Sequence, residues 1–126
     1  MTHDAAAGRL AAEARGRLAE TLCVWGLRLR GWRILARRIK GRRGSGVGEI
    51  DIVARRGRTI AFIEAKARRE LEAALDAVTV EQRRRIARAA EVFLARLTDG
   101  AACDVRFDVM AVSGVLPTHI VDAWRP

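Results

Sequence analysis

The sequence predicts an α/β fold, with a mixed central β-sheet of about five strands, a helix before it and a crossover helix after its central hairpin. Three observations carry this reading. An alanine- and leucine-rich segment ending near Arg30-Gly31 has helical spacing. The stretch from Gly48 to Lys66 alternates with period two around a glycine-containing turn. A second helical pattern, from about Val80 to Leu97, separates that hairpin from another alternating run at Arg106 to Val112. At 126 residues the chain is expected to be one domain, 1–126, long enough for a single core but not for two.

Residues 1 to about 9 read as a loose, alanine-rich end. In the helix that follows, Leu18, Leu22, Trp25 and Leu29 fall in one narrow stripe at 100° per residue and are expected to face the sheet, with Gly31 as the stop signal. Glu20 lies on roughly the opposite side, near a second apolar flank formed by Cys23 and Leu27. Trp32 to Ala36 reads as a first strand. A basic, glycine-rich connection follows, about 37–48, in which Arg37, Arg38, Lys40, Arg42 and Arg43 are candidate phosphate contacts. Its glycines do not make a P-loop, since no G-K-[ST] follows.

The hairpin is the most informative stretch. If Gly57-Arg58 is a two-residue turn, with Gly57 supplying positive φ, counting outward sets Thr59 opposite Arg56 and Phe62 opposite Val53. The same count puts Glu64 opposite Asp51 and Lys66 opposite Glu49. Facing carboxylates on one sheet face destabilise each other, so a positive charge is required between them. Mg²⁺ (or Mn²⁺) held by Asp51 and Glu64 satisfies that demand. Lys66, on the same face, is placed to stabilise developing negative charge.

Beyond Lys66, the stretch ARRELEAALDAV reads as a short helix or a flap, ending before Thr79, a plausible N-cap. The next helix puts Ile86, Ala90, Phe93 and Leu97 on one face. Gln82 points inward in its first turn, toward a substrate phosphate, an attacking water or a backbone partner. In the following strand Asp108 is an acid on an apolar face, expected to pair with Arg106 or Arg125 or to support the site. His119 to Trp124 reads as a last strand, with Trp124 packing. His3 and His119 look isolated, so no histidine-based metal cage or triad is expected.

A net charge of +9, from 24 basic against 15 acidic residues, and a pI near 11.4 make a polyanion the leading partner class. Only Lys40 and Lys66 are lysines, so the positive surface is arginine. Cys23 and Cys103 lack metal-binding spacing and are read as reduced and structural. The charged start has no apolar signal core and no run approaches a membrane span, which gives a cytoplasmic expectation with no membrane partner.

The combination of G-E-I-D, a thirteen-residue step from Asp51 to Glu64, E-x-K at Glu64-Ala65-Lys66, and R-F-D-V at Arg106 to Val109 resembles the YraN-like family of small bacterial proteins over nearly the whole chain. That family is grouped with the PD-(D/E)xK nucleases and is similar to archaeal Holliday junction resolvases. The resemblance implies a restriction-endonuclease-like fold, metal ligands at Asp51 and Glu64, a catalytic lysine at Lys66, and a further metal-site acid at Glu20. It implies metal-dependent phosphodiester hydrolysis of DNA, at branched or unusual structures. The alternative is a non-catalytic nucleic-acid-binding protein on the same fold. A resolvase would also be a homodimer, for which the apolar segment around Ile120, Val121 and Trp124 offers an edge.

Overall fold

Gly57 has φ +63, so the hairpin turns where the sequence places it, and the register follows from that residue. The computed structural model describes residues 3–41, 44, 48–67 and 71–126. In chain order these form α1 (His3–Leu29), β1 (Arg33–Ile39), β2 (Ile50–Arg56), β3 (Thr59–Lys66), α2 (Leu71–Asp76), α3 (Val80–Ala95), a 3₁₀ turn (Gly100–Ala102), β4 (Asp104–Ser113) and β5 (Leu116–Ile120). The five strands make one sheet in sequential order, antiparallel except where β3 and β4 run parallel across the α2–α3 crossover. This is the mixed, helix-flanked sheet that the sequence predicts.

β3 is buried on both faces from Ile60 to Ile63, as the strand beside a parallel neighbour must be. On one face Val53, Ile60, Phe62, Phe107 and Val109 meet Ile86, Ala89 and Ala90 of α3. On the other, Ile52, Ala54, Ala61, Ile63 and Met110 meet Ala19, Cys23, Val24 and Leu27 of α1.

That second contact corrects the expected orientation of α1. Leu18, Trp25 and Leu29 are 58, 58 and 84 % exposed, and the sheet is met by the opposite flank, which carries Glu20 with it. The physical reason is close approach. Ala54 and Ala61 leave little height on the sheet, so a flank of Ala19, Cys23 and Val24 seats deeper than one of leucines and tryptophan. α1 also reaches back to His3, where a loose end was expected. Its alanines are the best helix formers, although their side chains up to Leu18 pack on little of the chain.

Two boundaries differ as well. β1 runs on to Ile39, so Arg37 and Arg38 are strand residues. The last strand is Leu116–Ile120 rather than His119 to Trp124, since the chain reverses at Gly114 (φ +68), and Pro117 is tolerated on the sheet edge. Trp124 is buried and stacks on Phe107 at 4.3 Å, a packing role that removes it from any edge interface.

Thr79 caps α3 as expected, its hydroxyl accepting from the Gln82 amide at 3.2 Å. Thr79→Ala should lower stability by about 1 kcal/mol in urea unfolding. Because the cap also sets the first turn that carries Gln82, an unchanged midpoint would detach that turn from the fold's stability.

Candidate functional site

β2 and β3 pair from Arg56↔Thr59 to Ile52↔Ile63, and one residue further the ladder gives way to side chains. There Asp51 Oδ2 accepts from the Ala65 amide at 2.9 Å, taking the place of a strand carbonyl. This sets the Asp51 carboxyl close enough to Glu64 for each acid to shift the other, so the two acids meet as the register count predicts. Lys66 Nζ lies 3.1 Å from Glu64 Oε1. β3 can hold these charges in place because its parallel pairing with β4 continues to Lys66↔Ala111.

From the opposing helix, Gln82 Nε2 donates to Glu64 Oε1 at 3.2 Å. Gln82 therefore does point into the cluster, and its immediate partner is the carboxylate. Glu64 Oε1 thus receives both Lys66 and Gln82.

The electrostatics follow from burial. Glu64 is 7 % exposed. Desolvation first, and the Asp51 charge second, push its pKa up from 4.5 to about 7 against the pull of Lys66. Burial also lifts Asp51 above the usual carboxylate range; the Ala65 amide opposes this, the Glu20 charge adds to it, and Lys66 opposes it again. The contact between the two acids raises Glu64 and opposes the rise of Asp51. Cys23, beneath them, is pushed up to about 12 by burial and then by Asp51 and Glu20, which keeps it an inert thiol as expected.

Glu20 is buried at 6 % exposure on the α1 flank that meets the sheet. Its carboxylate accepts from Arg37 Nε at 3.1 Å and Arg38 Nε at 3.2 Å. The structure thus brings Glu20 close enough to act on Asp51 electrostatically and ties it to two arginines expected in a loop. Arg38 adopts a left-handed backbone (φ +52) in doing so. Both guanidinium side chains stay part-exposed, at 38 and 49 %, on the rim of the cluster. Lys40 is exposed just past β1, and Arg42 and Arg43 lie outside the described residues. Gly48 closes this rim: its amide donates to the Arg85 carbonyl at 3.1 Å, and a Cβ there would come within 2.6 Å of Arg85 Cβ.

Among the described residues no group of three or more His, Cys, Asp or Glu side chains assembles as a metal cage. The donor set is two neighbouring carboxylates, buried Glu64 and half-buried Asp51, which fits a hard, oxygen-seeking ion that keeps waters, Mg²⁺ or Mn²⁺. It does not fit zinc, which takes three or four protein ligands.

A further buried acid lies elsewhere. Asp108, fully buried, accepts from Arg106 Nε at 3.0 Å, from Arg106 Nη2 at 2.9 Å and from the Asp122 amide at 2.9 Å; His119 Nε2 lies 2.6 Å away. Burial pushes this carboxyl up, but the bonds from His119, Arg106 and Asp122 outweigh it and hold the pKa below the usual range. Arg106 is thus its partner, as expected, while Arg125 pairs with Asp122. His119 is not isolated. The β4–β5 hairpin, which pairs Met110 with His119, brings it there.

Residues 19–112 match the family described as "Uncharacterised protein family UPF0102". The chain belongs to family UPF0102. This is the YraN-like family to which the motifs point. It is 53 % identical over 116 residues to a UPF0102 protein of Paramagnetospirillum magneticum, covering 91 % of this chain and 90 % of that one. It is 47 % identical over 122 residues to a UPF0102 protein of Sphingopyxis alaskensis, covering 94 and 98 %. The UPF0102 match begins one residue before Glu20 and ends at Val112 in β4, so it spans Glu20, Asp51, Glu64, Lys66 and Gln82. Among the described residues of this UPF0102 protein, no helix is long and apolar enough to cross a membrane.

Proposed function

We propose that this protein is a metal-dependent phosphodiesterase acting on DNA, with a restriction-endonuclease-like arrangement of its sheet. The observation that carries the reading is the cluster at the end of β3: buried Glu64 and half-buried Asp51, two acids close enough to shift each other, with Lys66 3.1 Å from Glu64. A fold gains nothing in stability by desolvating two acids side by side, and such a cost is retained where the charges have work to do.

Asp51 and Glu64 would hold Mg²⁺ or Mn²⁺, which when bound polarises a phosphoryl oxygen and lowers the pKa of a coordinated water. The Ala65 amide fixes one Asp51 oxygen and leaves the other toward the site. Gln82 fixes Glu64 from the helix side. The Lys66 ammonium supplies positive charge where a phosphorane gains negative charge. Arg37 and Arg38, held over Glu20 and open to solvent on one side, and exposed Lys40 contact the phosphate backbone; Arg42 and Arg43 continue that basic segment in sequence. Branched or unusual DNA is the substrate that the resolvase resemblance favours.

Labelled linear, flap and four-way-junction DNA incubated with Mg²⁺ or Mn²⁺ tests this. Cleavage is expected with the wild-type chain, with a loss of at least ~100-fold in Asp51→Asn and in Lys66→Ala, as for removal of a transition-state charge partner. EDTA should abolish it. DNA that stays intact yet is bound equally by all three proteins, in a salt-sensitive and chelator-indifferent way, would establish the alternative, a non-catalytic nucleic-acid-binding protein.

A further inference from the structure

α1 carries a second apolar stripe that the monomer leaves in solvent. Ala7, Ala11, Ala14, Leu18, Leu22, Trp25 and Leu29 repeat at intervals of three and four and fall within about 80° of arc at helical spacing. All but half-buried Leu22 are exposed, and the stripe lies opposite the flank that meets the sheet. It spans about 33 Å of helix.

The stripe is ordered by size. Its N-terminal half is alanine and its C-terminal half is Leu22, Trp25 and Leu29, with Leu18 at the centre. Laid antiparallel on an identical helix about a two-fold axis at Leu18, which meets its own copy, each large residue beyond the axis meets a small one: Leu22 against Ala14, Trp25 against Ala11, Leu29 against Ala7. A parallel pairing would instead stack Trp25 on Trp25 and leave the alanines facing each other across a gap. We infer that a second copy of this chain covers this face, through an antiparallel α1–α1 contact centred on Leu18.

Two further observations favour a second copy over another occupant. From Ala7 to Leu18 the helix is exposed, and it includes Gly8 and Gly16, where an added Cβ would meet nothing within 4 Å. A helix of that length is marginal in water without a packing partner. In the antiparallel arrangement this segment lies along the partner's Trp25 and Leu29, so both needs are met by one contact. The exposed apolar area is also substantial. Leu18, Trp25 and Leu29 at their observed exposures offer on the order of 400 Å² of apolar surface, beyond what isolated exposed residues present. Leu22 and the three alanines add to that area on each copy, toward the ~800 Å² per partner of a standard interface. Arg28, 5.4 Å over the Trp25 ring, sits at the rim. The two-fold makes the contact closed and isologous. This inference does not depend on the nuclease reading.

Sedimentation of the full chain from about 1 to 100 µM tests it, with the range chosen to span ordinary dimer affinities. A species of twice 13.9 kDa is expected. It should tighten in ~0.5 M NaCl, because salt screens the repulsion between two chains of +9. Nucleic-acid binding would weaken in the same salt. Leu18→Glu sets the new charge against its own copy and should give a monomer with unchanged circular dichroism. Under mild oxidation, Leu18→Cys should cross-link to itself above the wild-type background from Cys103, whereas Leu29→Cys should not. A wild-type monomer throughout overturns the inference, and so does self-cross-linking of Leu29→Cys, which would mean parallel pairing. A monomer that gains a fixed partner of another kind, such as DNA, at this face overturns it too.

Discussion

Replacing Asp108 by Ala is expected to remove about 3–5 kcal/mol of folding free energy, the usual cost of breaking a buried ion pair from one side. Its carboxylate is the shared acceptor for Arg106, His119 and the Asp122 amide, so the substitution leaves three groups facing an apolar gap. The damage should spread to Trp32, which lies between the guanidinium groups of Arg56 at 4.5 Å and Arg106 at 5.2 Å, with His119 against its edge. Tryptophan fluorescence should therefore report an altered Trp32 environment in the folded variant. Asp108→Asn keeps the shape and part of the bonding and should lose less. A folded-state pKa held below the unfolded one means that Asp108 contributes stability above the unfolded value and loses it as pH falls through the folded one. The wild-type chain should accordingly show an acid-side loss that Asp108→Ala lacks. A urea midpoint shift worth less than 1 kcal/mol would sink this account of the cluster.

The two acid clusters were not equally legible in the sequence, and the reason is the range of the contacts. Asp51, Glu64 and Lys66 belong to one hairpin, where a positive-φ glycine and a period of two fix which side chains meet. Counting from Gly57 was enough. Gln82 could be read as inward because it lies four residues before Ile86, on the same face of α3. His119 needed the β4–β5 pairing, and the last strand was read a few residues late, so its approach to Asp108 was missed; the signal was Gly114 as a turn.

The helix α1 went wrong for a different reason. It has two apolar flanks, and periodicity ranks flanks by hydrophobicity without knowing the height of the surface they meet. Ala54 and Ala61 on the sheet choose the smaller flank. Glu20 was the usable clue, because an acid beside Cys23 and Leu27 with two arginines at the end of the next strand is an acid that can be buried. The larger flank was still a real signal. It marks a surface rather than the core.

Glu64→Gln should do two opposite things, and the pairing of effects separates a working site from a merely tolerated one. In chelator, the native Glu64 titrates near 7 against 4.5 for the unbound reference, so the folded state holds a proton that the unfolded chain has released. For an acid raised in this way the sign is the reverse of the usual carboxylate: full stability is present below about 4.5 and is lost as pH rises toward 7. The wild-type chain should thus be less stable at pH 8 than at pH 5 by an amount of up to about 3 kcal/mol from this group. Glutamine mimics the protonated form, accepts from Lys66 and can still bond Asp51, so the variant should be more stable than wild type at pH 8 and equal to it at pH 5. Cleavage should nonetheless fall by about 100-fold or more, since the anionic oxygen that would hold the metal ion is gone. Added Mg²⁺ or Mn²⁺ at pH 8 should stabilise wild type and leave Glu64→Gln unmoved, because an ion that binds only the native site shifts unfolding by mass action. A variant that loses stability at pH 8 would mean that Lys66 already compensates Glu64 in full, and the cluster would then be a structural ion pair with no need of a cation.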